Sequence, residues 1–264
     1  MKIAAAQIAC ALGEVDANLR KIRDFSARAK EGGAELVVFP EMADTGYSMP
    51  VIQAHATAWT HGAVPELRKM AKDLAIAIIC GVSEREGNSI YNSQVFVDAK
   101  GDIVGSYRKT HLFTGTPIGE DKCFSPGQEL KSFPFGVFRL GLSICYDLRF
   151  PEVYRKLAIE HAANVFIISS AWPFPRVEHF RILCAARAIE NQSYLIVSNR
   201  VGTDEGVTCC GSSTIIDPYG VTVATASTDR EELVQAEVSE AVITSVRNKM
   251  AVFDQRRPEL YGAL

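Results

Sequence analysis

Gly141-Leu142-Ser143-Ile144-Cys145-Tyr146-Asp147-Leu148-Arg149-Phe150-Pro151-Glu152 runs from an apolar segment of strand length into a sequence that opens a helix. Residues 137–145 read as a buried strand, and Pro151, suited to a first helical turn, starts a helix to about Ala162. A strand that hands over to a helix this quickly is the building unit of an α/β fold.

Working outward, the same alternation recurs. Downstream come a strand at Val165–Ser169, a helix over 177–190 and a strand at Tyr194–Ser198. Two short strands, Ser213–Ile216 and Val221–Ala226, then flank the turn Asp217-Pro218-Tyr219-Gly220. Upstream, residues 2–9 and 35–39 read as buried strands, with Pro40 stopping the second. Between them, Asp16 reads as a helix N-cap, Leu19, Ile22 and Phe25 as one apolar face, and Gly32-Gly33 as the stop. A helix opening near Pro65 places Leu67, Met70 and Leu74 inward and feeds a strand at Ile76–Val82. Residues 91–107 read as a hairpin turning at Ala99-Lys100-Gly101-Asp102. Residues 115–135 read as an excursion or lid loop, and 232–264 as a strand followed by an extended charged tail. No linker, repeat or low-complexity tract interrupts residues 1–264, so one domain is expected. Two packed sheets with outer helices fit this length, and pattern alone leaves a doubly wound single sheet open.

Composition excludes several classes. The chain has 264 residues, 47% hydrophobic and 22% charged, unlike disordered, collagenous or coiled-coil sequences. A chain of this length buries roughly three quarters of its unfolded surface without a staple. Lys and Arg number 28 against 31 Asp and Glu, a net charge of −3 with no polyanion footprint, so no nucleic-acid partner is expected. No apolar run reaches bilayer length, so no membrane span is expected. Met1-Lys2-Ile3-Ala4-Ala5-Ala6 faintly has the look of a signal peptide, but Gln7 interrupts it, and a buried first strand is the better reading. The cysteines, seven in all, lack CxxC or zinc spacing and fit reduced, mostly buried thiols in a cytoplasmic protein.

Nucleotide-binding glycine motifs, GxSxG and HExxH are absent. Three segments instead place a reactive group at a strand end. Glu41 follows Val38-Phe39-Pro40, where partial desolvation would raise its pKa toward that of a useful base; a helix cap or surface carboxylate is the alternative. In Tyr107-Arg108-Lys109-Thr110-His111-Leu112-Phe113, strand alternation sets Tyr107 and Lys109 on one face and Arg108 on the other. Lys109 then holds an oxyanion, or faces water from an edge strand. Cys145 ends a strand just before a helix, whose dipole would lower the thiol pKa, and the Tyr146 N–H could face an oxyanion. The alternative is an inert buried cysteine.

Glu, Lys and Cys in this order resemble the nitrilase superfamily, the carbon–nitrogen hydrolases. The similarity continues through Ala185-Ala186-Arg187-Ala188-Ile189-Glu190-Asn191-Gln192, through residues 211–220, and to Phe253-Asp254-Gln255-Arg256-Arg257-Pro258-Glu259-Leu260-Tyr261. What the resemblance implies is a four-layer αββα sandwich that dimerises through helices near the nucleophile. It further implies Glu41 as general base, Lys109 as oxyanion holder, Cys145 as nucleophile, and no metal or organic cofactor. Glu120, five residues before Ser125-Pro126-Gly127, matches a second glutamate of many members, with Asp121 adjacent.

The Cys-Tyr-Asp-Leu-Arg-Phe-Pro-Glu stretch is most similar to the small amidase branch, which includes ω-amidases. The implied substrate is a small amide; a nitrile or an N-carbamoyl amine is the alternative. Tyr47 and Trp172 are candidate pocket walls. Arg149, Arg176 and Arg200 are candidates to meet a substrate carboxylate, with structural salt bridges the competing role.

Overall fold

The computed structural model describes residues 1–262; Ala263 and Leu264, the last two positions of the expected 1–264 unit, lie outside the described residues. In chain order the strands are β1 Lys2–Gln7, β2 Leu36–Val38, β3 Ala77–Glu86, β4 Ser89–Val97, β5 Ile103–Arg108, β6 Ser132–Phe135 and β7 Phe138–Ile144. They continue as β8 Val165–Ser170, β9 Tyr194–Asn199, β10 Thr203–Asp204, β11 Val207–Thr208, β12 Thr214–Ile216, β13 Thr222–Thr225 and β14 Glu232–Glu237. The helices are α1 Val15–Glu31, α2 Met49–His55, α3 Ala63–Leu74, α4 Pro151–Ile159, α5 Val177–Glu190, α6 Glu240–Lys249 and α7 Pro258–Tyr261.

Two six-stranded sheets result, ordered β14-β1-β2-β3-β4-β5 and β13-β12-β9-β8-β7-β6. Each has a parallel trio at its centre, β1-β2-β3 and β7-β8-β9, flanked by antiparallel strands. The trios read as continuous apolar runs because both faces are covered. Alternation divides those faces. Ile3, Ala5, Leu36, Val38, Ala77 and Ile79 face the second sheet. Ala4, Ala6, Val37, Ile78 and Cys80 face α1 and α3. On the far side α4 and α5 cover the second sheet through Val153, Leu157, Phe180 and Cys184. The architecture is the αββα sandwich, and a doubly wound single sheet is ruled out.

Several local expectations change. Asp16 sits in the first turn of α1, whose flanking residue is Glu14. The stretch 115–135 contains a 3-10 turn at Glu120–Lys122 and an edge strand, β6, which the Pro and Gly content concealed. The tail is mostly not extended: Ile243 and Val246, three apart, bury one face of α6. Its β-branched run, Val242-Ile243-Thr244, carries no helical signal of its own. The strand expected at residues 2–9 lies between β14 and β2, with Ile3 through Gln7 buried. No helix of the described residues is long and apolar enough to cross a membrane.

Parallel strands bring their carboxyl ends together, which is where α/β folds place ligands. Glu41 follows β2, Cys145 follows β7 and Ala171 follows β8. Lys109 follows β5, which two antiparallel reversals turn to the same direction as β3. Polar links join the sheets at that end: Ser169 Oγ donates to the Phe39 carbonyl at 2.7 Å and receives Gln94 Nε2 at 2.8 Å.

Candidate active site

Cys145 occupies the corner where β7 becomes the 3-10 turn Cys145–Arg149. Its φ is +44°, a left-handed conformation that costs a non-glycine residue about 1–3 kcal/mol. Met42, next to Glu41, has φ +51°. Base and nucleophile candidates thus sit on sharply turned backbone held by the surrounding fold. Gly81 permits the first of these turns: a Cβ there would lie 2.4 Å from the Pro40 carbonyl oxygen and 2.6 Å from the Glu41 Cα.

Buried Asp147 ties the cysteine turn to the lysine segment. Its carboxylate accepts from the Ile144 N–H (2.9 Å), Tyr107 Oη (2.8 Å), Thr110 Oγ1 (3.1 Å) and the His111 N–H (3.1 Å). Arg187 braces the turn from behind, donating to the Leu148 carbonyl at 3.0 Å and to Glu190 at 3.0 Å.

Lys109 is fully buried between two carboxylates. Its Nζ is 2.8 Å from Glu41 Oε1 and 2.8 Å from Glu120 Oε1. Asn92 Nδ2 donates to the same two oxygens, at 2.6 Å and 3.1 Å. Glu120 is further held by Tyr47 Oη at 2.5 Å and by the Phe113 N–H at 2.6 Å, whereas Asp121 points to solvent. Of these two adjacent acids, Glu120 is the one that faces inward. The other oxygen of Glu41, Oε2, accepts the Ala171 N–H at 2.8 Å.

The electrostatics follow from two anions and one cation sealed from water. Burial pushes the Glu41 carboxyl above its ordinary range, with Lys109 opposing and Glu120 reinforcing. Burial alone would lower the Lys109 ammonium, but Glu120 and Glu41 overcome it and hold the lysine charged. Burial first, then Glu41, pushes the Cys145 thiol well above its usual value. This corrects the expected lowering by a helix dipole. The 3-10 turn is only five residues long, and the net negative surroundings outweigh it. Burial and the Glu41 charge favour the protonated sulfur over the thiolate.

A cavity opens onto this cluster, lined by Lys109, Cys145 and Tyr146 together with Tyr47, Phe113 and Trp172. Ile118, from the expected lid segment, forms part of the rim. Arg149 and Arg176 complete it. Arg149 stacks on Trp172 at 4.5 Å, and burial with the Arg176 charge acting alongside lowers its guanidinium pKa. Arg176 lies 6.0 Å over Phe113. Neither guanidinium has a carboxylate partner among the described residues. Arg200 is removed from the candidates, because it is buried, paired with Asp204 and bonded to the Cys10 carbonyl. A separate surface groove around Tyr91, Arg108 and Lys131 is larger but has no link to the cluster.

Sequence reasoning missed Asn92, Asp147 and the Ala171 amide. Asn92 carried at most one signal, an amide in a segment that reads as a strand. Asp147 carried another, an acid inside the apolar cysteine segment.

The carbon-nitrogen hydrolase model matches residues 2–248. A 2-oxoglutaramate amidase of Bacillus subtilis (strain 168) is 36% identical, over 98% of this chain and 98% of its own. A nitrilase of Pyrococcus abyssi is 32% identical, over 99% of each. Among solved structures, the E41Q mutant of the amidase from Nesterenkonia sp. AN1 superimposes with a TM-score of 0.87 at 28% identity, over 99% of this chain and 95% of that one. That structure shows covalent addition of the acetamide moiety of fluoroacetamide at its active-site cysteine.

Proposed function

Since the chain belongs to the carbon-nitrogen hydrolase family, we propose that it is an amidase releasing ammonia from small ω-amides that carry a carboxylate. The reaction runs through a thioester on Cys145. The observation that carries the substrate class is the pair of uncompensated guanidiniums, Arg149 and Arg176, on the cavity that contains Cys145. Two unpaired cations at one rim favour an anion. An amide whose far end is a carboxylate places that anion there while its carbonyl reaches the sulfur.

Glu41 Oε2 takes the thiol proton as sulfur attacks the amide carbon. The resulting oxyanion meets the Lys109 ammonium and the Tyr146 N–H. Collapse passes the proton from Glu41 to the departing nitrogen, and ammonia leaves. Glu41 next takes a proton from water, which attacks the thioester, and returns it to the Cys145 sulfur as the C–S bond breaks and the acid leaves. Dividing the hydrolysis in two replaces one high barrier by two lower ones. Glu120 holds Lys109 in place, and Tyr47 and Trp172 confine the substrate.

Arg149→Gln and Arg176→Gln are each expected to raise KM for 2-oxoglutaramate by about 10- to 100-fold, the worth of a charged hydrogen bond. Against butyramide, which lacks the carboxylate, KM should scarcely move. Equal increases for both amides would refute carboxylate recognition.

The exposed Ile182 and Ile189 on α5, with the turn at Gly220 close against Ile189, support a homodimer. Sedimentation equilibrium should give twice the chain mass for the wild type and the chain mass for Ile182→Glu/Ile189→Glu. A wild type sedimenting at 28.9 kDa would dismiss the dimer. The free thiols fit a reducing, cytoplasmic setting.

A further inference from the structure

We propose that Asn92 is a positioning residue that assigns different duties to the two oxygens of Glu41. This rests on the amidase reading above. Asn92 sits in β4, buried at 1% exposure. Its Nδ2 donates 2.6 Å to Glu41 Oε1 and 3.1 Å to Glu120 Oε1, so both of its amide protons serve the two carboxylates. Lys109 Nζ donates to the same oxygens at 2.8 Å each. The Asn92 carbonyl also receives the Lys109 N–H at 2.8 Å, so one residue fixes both the backbone and the counterions of the lysine.

The consequence lies in the contrast between the oxygens of Glu41. Oε1 faces two donors, one of them cationic, and Oε2 faces a single neutral amide. A proton therefore goes to Oε2, the oxygen that neither Lys109 nor Asn92 holds. Oε1 is reserved for holding Lys109.

The chemistry of the site fixes the residue type. Asn92 Oδ1 is buried without a partner. The flipped amide could relieve this only by setting that oxygen against two carboxylates. Aspartate would add a third anion to a cluster that holds one cation. Leucine would fill the space and give no donor.

The groups facing Glu41 are Lys109, Glu120, Cys145, Tyr47 and Cys209. Burial raises the Glu41 carboxyl above its ordinary range, so its ionisation is read on the acid side of the profile. A donated N–H favours the ionised carboxylate, so losing it raises the pKa. The acid limb of kcat/KM should therefore move up by about one pH unit in Asn92→Leu. Asn92→Ser, which keeps one donor, should move it by less. At neutral pH, kcat in Asn92→Leu should fall at least tenfold with KM nearly constant.

Iodoacetamide alkylation of Cys145 provides a readout independent of any substrate, and its pH profile should shift in the same order. A shift in alkylation with no amide hydrolysed would uphold Asn92 and discard the amidase reading. A uniform loss of turnover with both profiles unmoved, in variants whose thermal unfolding matches wild type, would overturn the proposal. Should Asn92→Leu fail to fold, an unshifted profile in Asn92→Ser would overturn it equally.

Discussion

Cys145→Ala is expected to lower ammonia release from 2-oxoglutaramate by about 10⁴-fold or more, the scale on which loss of a covalent nucleophile acts. The fold should survive. The change removes one sulfur from a position at 9% exposure and leaves the left-handed backbone corner as it is. Cys145→Ser should be almost as inactive. The surroundings already push a thiol upward, and a hydroxyl, far less acidic, would be harder still for Glu41 to deprotonate. The wild-type pH profile tests the same electrostatics. kcat/KM should rise as Glu41 ionises and then stay level through pH 8.5, where an ordinary cysteine titrates. A rise centred near 8.5 would mean a solvent-accessible thiolate in place of a base-assisted thiol. Mass spectrometry of wild type quenched during turnover should find the acyl group on Cys145. Equal ammonia release by wild type and Cys145→Ala would end the nucleophile assignment.

The sandwich was legible wherever a segment is buried on both faces. Leu36–Phe39 and Val165–Ser170 announce themselves as unbroken apolar runs, because helices and the opposite sheet cover them. Helix α5 was bounded correctly at 177–190, between a proline-rich turn and the next apolar run. Elements resting on one thin contact were not legible. β6 pairs only with β7 and contains Pro134, so it reads as loop. α6 rests on two buried side chains. In the site, Glu41, Lys109 and Cys145 stood out because each is a reactive group at a strand end. Asn92 and Asp147 act through partners far along the chain, such as Glu41 at a separation of 51 residues, and no local pattern marks that. The direction of the cysteine pKa was misjudged for a related reason. Helix position is local information, whereas the burial that dominates, and the Glu41 charge that adds to it, come from segments far along the chain.

Lys109→Met should lower kcat by about 10³-fold or more, with KM changed far less. Two effects combine. An oxyanion donor vanishes, which elsewhere costs about 10²–10³ in kcat. In addition, Glu41 and Glu120 lose the cation that lies 2.8 Å from each. Carboxylates in that proximity cannot both stay ionised, so one proton is taken up between them. Held partly protonated at neutral pH, Glu41 is a poorer base. The acid limb of kcat/KM should therefore shift upward, in the direction like charges push a carboxyl. Thermal stability should also fall, because removing one member of a buried ion cluster costs about 3–5 kcal/mol before proton uptake relieves it. Lys109→Arg should not rescue turnover, since a planar guanidinium cannot replace an ammonium in a fully enclosed site. Iodoacetamide separates the two effects, because alkylation builds no oxyanion and reports only the thiol and its base. Alkylation in Lys109→Met should slow by less than hydrolysis does. Equal losses would confine Lys109 to tuning Glu41, and retained hydrolysis would remove it from the mechanism.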